Sequence, residues 1–138
     1  MRAADVARVA NLTTELGYPS SPAEIEERLA ELADHPHDIV LVATDAEDEP
    51  VGWIHVARVA RLQSVATAEI QGLVVGSGHR SSGIGADLVA AAEAWARDRG
   101  AERIVVRSRN TRERAHRFYE RLGYDHEKVS HVFARSLV

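Results

Sequence analysis

The sequence predicts an α/β domain built on a mixed, mostly antiparallel sheet flanked by helices, and three observations carry that reading. Two amphipathic helical patterns come first, two β-type runs follow, and a strand–turn–helix–strand–helix order occupies the second half. With 138 residues, the chain has the size of one domain, taken here as 1–138. It contains no cysteine, which excludes disulfide and thiolate chemistry and points to a cytoplasmic setting. No apolar run approaches the roughly 20 residues of a membrane span, so no membrane partner is expected. MRAADVARVA lacks the layout of a secretory signal. The formal net charge of −4 speaks against nucleic acid and for a cationic partner.

The elements follow in order. Asp5 to Leu16 places Val6, Val9, Ala10 and Leu16 on one helical face, and Gly17 and Pro19 end it. Ser21-Pro22-Ala23-Glu24 is a capping box with proline at the first helical position, and Ile25, Leu29 and Leu32 form the stripe of the helix it starts. DIVLVAT (38–44) and PVGWIHVA (50–57), joined by the acidic turn DAEDEP, predict a hairpin. Residues 57–66 read as strand tail, then loop. AEIQGLVV (68–75) is a third strand whose continuous apolar end suits cover on both faces.

A helix from about Ser82 to Arg99 buries Ile84, Leu88, Ala91, Ala92 and Trp95, with Gly100 just past its end. ERIVVRS (102–108) is a fourth strand. Asn110 or Thr111 caps a last helix carrying Ala115, Phe118 and Leu122, which Gly123 ends. From Tyr124 onward the pattern suggests a closing pair of short strands.

The turn SGHRSSGIG between third strand and third helix is the chemical clue. Such a turn offers free N–H groups and the positive end of a helix dipole, which together suit phosphate. Gly83 and Gly85 omit Cβ atoms where an anion must approach, and Arg80 adds a permanent charge with a planar donor fork. A plain solvent-facing βα connection is the competing account. A Walker loop would want Lys-Ser/Thr after its last glycine, where Ala86-Asp87 stands. A dinucleotide fingerprint would want an acidic residue ending the next strand, which instead runs into RSRN.

RSSGIG resembles the Arg/Gln-x-x-Gly-x-Gly/Ala pyrophosphate loop of the GNAT superfamily of acyl-CoA-dependent N-acetyltransferases. RSRNTRERAHRFYERLGY resembles the superfamily's second signature, and LGYP, AEIQGLVV and AEAWARDRGAERIVV fall in the same order over nearly the whole chain. The resemblance implies a GNAT fold splayed at the cofactor strand, with acetyl-CoA as co-substrate and no metal. It implies direct transfer of acetyl to a primary amine, without an acyl-enzyme. Arg80, Ser81, Ser82, Gly83, Ile84 and Gly85 would hold the pyrophosphate, and Leu73, Val74 and Val75 would align the pantetheine like an added strand. A backbone N–H near Val74 would face the thioester oxygen.

Ser81 departs from the usual glycine, and phosphate binding there is expected to require a negative φ. Similar proteins also begin with a β-strand, where only Met1 and Arg2 precede the first helix. The edge so exposed makes a homodimer a candidate arrangement.

Protons must also move. A lysine-like amine has a pKa of about 10.4, so its neutral form near pH 7 is disfavoured by roughly 4 kcal/mol. Glu69, at the start of the cofactor strand, matches the place where some GNAT enzymes keep a general base, against the plainer account of a strand-end glutamate facing solvent. Tyr119 matches the tyrosine that returns a proton to the departing thiolate, against that of a core tyrosine beside Phe118. Asn110 would cap its helix and contact pantetheine. Gly72 inside the third strand suggests a bulge, or room for a bulky neighbour such as Trp95. His55 is either pocket-lining or a half-buried sheet residue. One or two of the arginines between Arg107 and Arg117 would meet the cofactor's ribose phosphate.

The acidic second helix EIEERLAELAD points to a small cationic amine as acceptor. A protein lysine or N-terminal amine, a non-catalytic acetyl-CoA sensor module, and a different nucleotide at the loop stay open as alternatives.

Overall fold

The computed structural model describes residues 2–108 and 113–138. It separates into two compact units, Met1–Arg107 and Ser108–Val138, taken here one at a time. No helix among the described residues is long and apolar enough to cross a membrane.

The first unit opens with a 3₁₀ turn, Ala3–Asp5, leading into α1 (Val6–Leu16), and α2 is Pro22–Ala33. Their ends form as the residues demand. Gly17 takes φ 115°, a left-handed value that a side chain would oppose, and its N–H closes back on Thr14. At Ser21 the hydroxyl accepts from the Glu24 N–H while the Glu24 carboxylate accepts from the Ser21 N–H, so the capping box is complete. No strand precedes α1 among the described residues.

Strands β1 (Asp38–Thr44), β2 (Pro50–Val59), β3 (Thr67–Val75) and β4 (Arg103–Val106) form one sheet in the order β1-β2-β3-β4. The first two junctions are antiparallel and the last is parallel, as α3 (Ile84–Asp98) carries the chain across between β3 and β4. The β1–β2 turn is knotted by Asp45, whose Oδ1 accepts from the N–H groups of Glu47 and Glu49 at 2.9 and 3.0 Å. Those bonds, the one from Glu49 first, hold its carboxyl below the usual carboxylate range.

Alternation along β2 decides what each sheet face meets. Ile54 and Val56 are fully buried, on the side where Leu88 of α3 lies against Gly52. Trp53 points the other way, against Val9 and Ala10 of α1 and Ile25 of α2. Burying one such aliphatic side chain contributes on the order of 2 kcal/mol. The buried stripe of α3 is Leu88, Val89, Ala92 and Ala96. Ala91 is exposed, and Trp95 is half-buried under the Arg99 guanidinium, so the stripe lies one position round from the expected one. Gly100, at φ 78°, ends the helix with the Ala101 N–H on the Ala96 carbonyl.

In the second unit, α4 (Glu113–Arg121) ends in the same way, with Gly123 at φ 92° and the Tyr124 N–H on the Tyr119 carbonyl. The expected closing strands do not form. Residues 125–138 carry neither helix nor strand, and Val132 and Phe133 stand at least nine-tenths exposed. An alternating pattern makes a strand only where a ladder partner takes its N–H and C=O groups, and none among the described residues does so.

Candidate functional site

The site is built around β3, whose two halves behave differently. From Thr67 to Ile70 it pairs with β2 on one side and with β4 on the other, ending at Ile70 opposite Val106. Beyond that point, among the described residues, it continues to Val75 with β2 alone. The ladder to β2 skips a residue here: His55 faces Gly72 while Val56 faces Ile70, so Gln71 is the extra residue of a bulge. Gly72 also makes room, as a Cβ on it would stand 2.8 Å from Trp53 Cη2. The two accounts of this glycine therefore both hold, with Trp53 rather than Trp95 as the bulky neighbour.

Past the bulge, backbone direction follows from one bond. The Gly76 N–H donates to the Val51 carbonyl at 2.8 Å, so Val51 and Gly76 form a hydrogen-bonded pair. Antiparallel alternation then turns the peptide groups of Val75 and Leu73 away from β2, and those of Val74 toward it. The Val75 carbonyl agrees, accepting from Arg80 Nε at 3.3 Å. Of the N–H groups near Val74, its own therefore turns toward β2, which narrows the expected amide to those of Leu73 and Val75. Leu73 and Val75 present the N–H groups on the side that β4 has left.

The turn that follows contains a 3₁₀ segment, Ser77–His79, and then Arg80 in extended conformation. The Ser82 hydroxyl donates to the His79 carbonyl. Ser81 stands at φ 66°, so the negative φ required of it at the level of sequence is not what it adopts. A serine in this left-handed region costs about 1–2 kcal/mol. Gly83, at φ 86°, is the N-cap of α3. The first intrahelical bond runs from the Asp87 N–H to the Gly83 carbonyl. The N–H groups of Ile84, Gly85 and Ala86 thus belong to the helix's first turn, where no intrahelical acceptor exists. Arg80, Ser81, Ser82 and Gly83 are all exposed around them.

Glu69 is neither solvent-facing nor at liberty. It is buried to 8 % exposure, with Oε2 accepting from Arg61 and Oε1 from Arg107, each at 3.0 Å. Arg107, one of the arginines expected near the ribose phosphate, is thus turned onto a carboxylate of the sheet. His55 is a half-buried sheet residue whose Nε2 lies 3.0 Å from Asp38 Oδ1, with His35 on the other oxygen.

Tyr119 belongs to the second unit. It is half-buried on α4, edge-on to Phe118 at 5.1 Å between ring centroids and 5.6 Å from the Tyr124 ring. Asn110 lies outside the described residues. The first unit therefore assembles Glu69, Leu73–Val75 and Arg80–Gly85 around one strand and its turn.

A cavity of about 480 Å³ adjoins the bulge. Thr13, Leu16, Tyr18 and Ser20 at the α1–α2 connection, Arg28 on α2, Trp53 on β2, and Gln71 with Gly72 on β3 line it. Sequence reasoning missed Arg28, Gln71, Arg61 and Trp53 as site residues. The strand glycine was the available signal for Trp53, while nothing local pairs Arg61 with Glu69.

A strand freed on one side, continuing into a turn of exposed amides at a helix N-terminus, is an arrangement able to take an extended, anion-bearing ligand. The chain belongs to the acetyltransferase (GNAT) family, whose pattern matches residues 6–124. No curated protein matches it. Among solved structures, it is similar to a transcriptional regulator from Bacillus halodurans C-125 at 26% identity, covering 96% of each chain with a TM-score of 0.83. It is similar to aminoglycoside 6'-N-acetyltransferase AAC(6')-IG from Acinetobacter haemolyticus at 17% identity, covering 100% of this chain and 97% of that one, TM-score 0.84. A third similar structure is AAC(6')-Iy in complex with the bisubstrate analogue CoA-S-monomethyl-acetylneamine, at 17% identity, covering 99% and 95%, TM-score 0.83.

Proposed function

We propose that this chain transfers acetyl from acetyl-CoA to the primary amine of a small molecule, by direct attack within a ternary complex. The observation that carries the proposal is the far half of β3, which leaves β4 at the Gln71 bulge and turns the Leu73 and Val75 peptide groups outward beside the 480 Å³ cavity. Small-molecule acceptors are named for the aminoglycoside enzymes of the same fold, which supports the acceptor class without choosing its member.

In this reading the pyrophosphate sits on the N–H groups of Ile84 and Gly85 with those of Ser82 and Gly83, Arg80 adds charge, and Ser81, whose φ is positive, drops out of the set. Pantetheine extends β3 as an added strand, taking the Leu73 and Val75 peptide groups. The amine's lone pair attacks the thioester carbonyl, and the oxygen that gains charge is met by an outward amide of β3. Collapse breaks the C–S bond and forms the amide. The Tyr119 phenol returns a proton to the leaving thiolate and regains one from solvent, which also takes the amine's surplus proton. Each Glu69 oxygen already accepts from a guanidinium, so we assign Glu69 to holding the β3–β4 junction, with the amine entering neutral.

Release of CoA thiol across a panel of amines tests this. Tyr119→Phe is expected to lower kcat by about 100-fold or more while CoA affinity stays within about twofold. Tight acetyl-CoA binding with no thiol release from any amine would replace the enzyme by a sensor module. Competition by ATP or NAD in place of acetyl-CoA would overturn the site assignment.

A further inference from the structure

The charge lining the cavity beside the bulge narrows the acceptor. The acidity of α2 suggests a cationic acceptor, yet two of its carboxylates, those of Glu24 and Glu26, are engaged elsewhere. Glu24 closes its own capping box with Ser21. Glu26 lines a separate cavity of about 390 Å³ between α2 and β1, together with Leu29 and Asp38. Among the described residues lining the cavity at Gly72, Arg28 carries the only charge. A polycation would find no anion there.

Arg28 is held for use. Ser20 Oγ accepts from its Nη1 at 3.1 Å, and the Glu24 carboxylate stands 3.9 Å from its Nη2. A guanidinium has five donors in a rigid fork, so one bond to Ser20 orients it without saturating it. Leu16, Tyr18 and Trp53 supply apolar and aromatic wall, and the exposed Gln71 of the bulge supplies an amide between that wall and the outward half of β3.

We infer that the acceptor is a primary amine on an apolar or aromatic frame that also carries a carboxylate, and that Arg28 selects it through that carboxylate. The inference rests on the acetyltransferase reading above. The frame packs on Trp53 and Tyr18, the carboxylate takes the Arg28 fork, and the amine is left at the Gln71–Gly72 end, where the acyl group arrives. A charge-assisted hydrogen bond of this kind corresponds to about 10- to 100-fold in affinity.

The test measures CoA release and, separately, calorimetric binding to the CoA-loaded protein. The probes are apolar amino acids such as phenylalanine, their carboxamides, and spermidine. Amino acids are expected to be preferred over carboxamides by at least about 10-fold in kcat/KM, although the carboxamides have the more readily neutralised amine. Arg28→Gln should raise KM for the amino acids by about 10- to 100-fold and erase the preference, leaving the carboxamides unchanged. Arg28→Lys should restore part of it.

Preference for spermidine or the carboxamides, or indifference to Arg28→Gln, would overturn the inference and leave the acetyltransferase reading intact. No thiol release from any probe would overturn the reading instead. Calorimetry then decides the Arg28 claim alone: amino-acid binding weakened by Arg28→Gln supports it, and absent or unaltered binding defeats it.

Discussion

The two halves of β3 are the same strand under opposite constraints. Thr67–Ile70 is buried and laddered on both edges, and even its one carboxylate, on Glu69, is clamped by Arg61 and Arg107. Gln71–Val75 is laddered on one edge and half exposed in places. A single extra residue separates a half paired on both edges from a half that, among the described residues, leaves one edge for an added strand. The binding proposed here would arise from a pairing withheld rather than from a side chain added.

Breaking the junction itself has the largest expected effect. Gly72→Val drives a branched side chain into the Trp53 ring, where even a Cβ would lie 2.8 Å away. A loss of about 1–3 kcal/mol in urea denaturation is expected, with acetyl transfer abolished. Glu69→Gln comes next, because it leaves two guanidinia facing a neutral amide. With Arg107 59% exposed and Arg61 29% exposed, the expected loss is about 1–2 kcal/mol, below that of a fully buried pair. The proposed structural part for Glu69 also predicts that the pH–rate profile keeps its shape. A lost acidic limb would restore the general base.

Two smaller changes probe the turn. Gly83→Ala places a Cβ at φ 86° and is expected to cost about 1 kcal/mol, with CoA affinity falling about tenfold as the amides tilt. Ser81→Gly should do the reverse, raising stability by up to about 1 kcal/mol with CoA affinity preserved or improved. Unchanged thermal midpoints for both would mean that these positive φ values do not persist in solution.

Much of this was legible because its causes are local. The capping box at Ser21, the glycine stops at Gly17, Gly100 and Gly123, and the hairpin around DAEDEP depend on residues within one turn of each other. The bulge announced itself through Gly72. Where reading failed, the cause was distant in the chain. Trp53 under Gly72 and Arg61 and Arg107 on Glu69 are brought together by strand register, which no window of sequence contains. The acidity of α2 and the charge lining the cavity point to different acceptors, because composition does not say which cavity a carboxylate lines.

By itself the sequence determined the order of helices and strands as far as α4, most of their caps, and the family whose turn and helix motifs it carries. Only the tertiary structure decided that Leu73 and Val75 rather than Val74 turn outward, that Glu69 is held by two arginines, and that Arg28 alone among the described residues charges the cavity. Caps and turns are short-range hydrogen bonds, whereas amide direction, ion pairing and cavity charge depend on which distant strand and helix come to lie alongside.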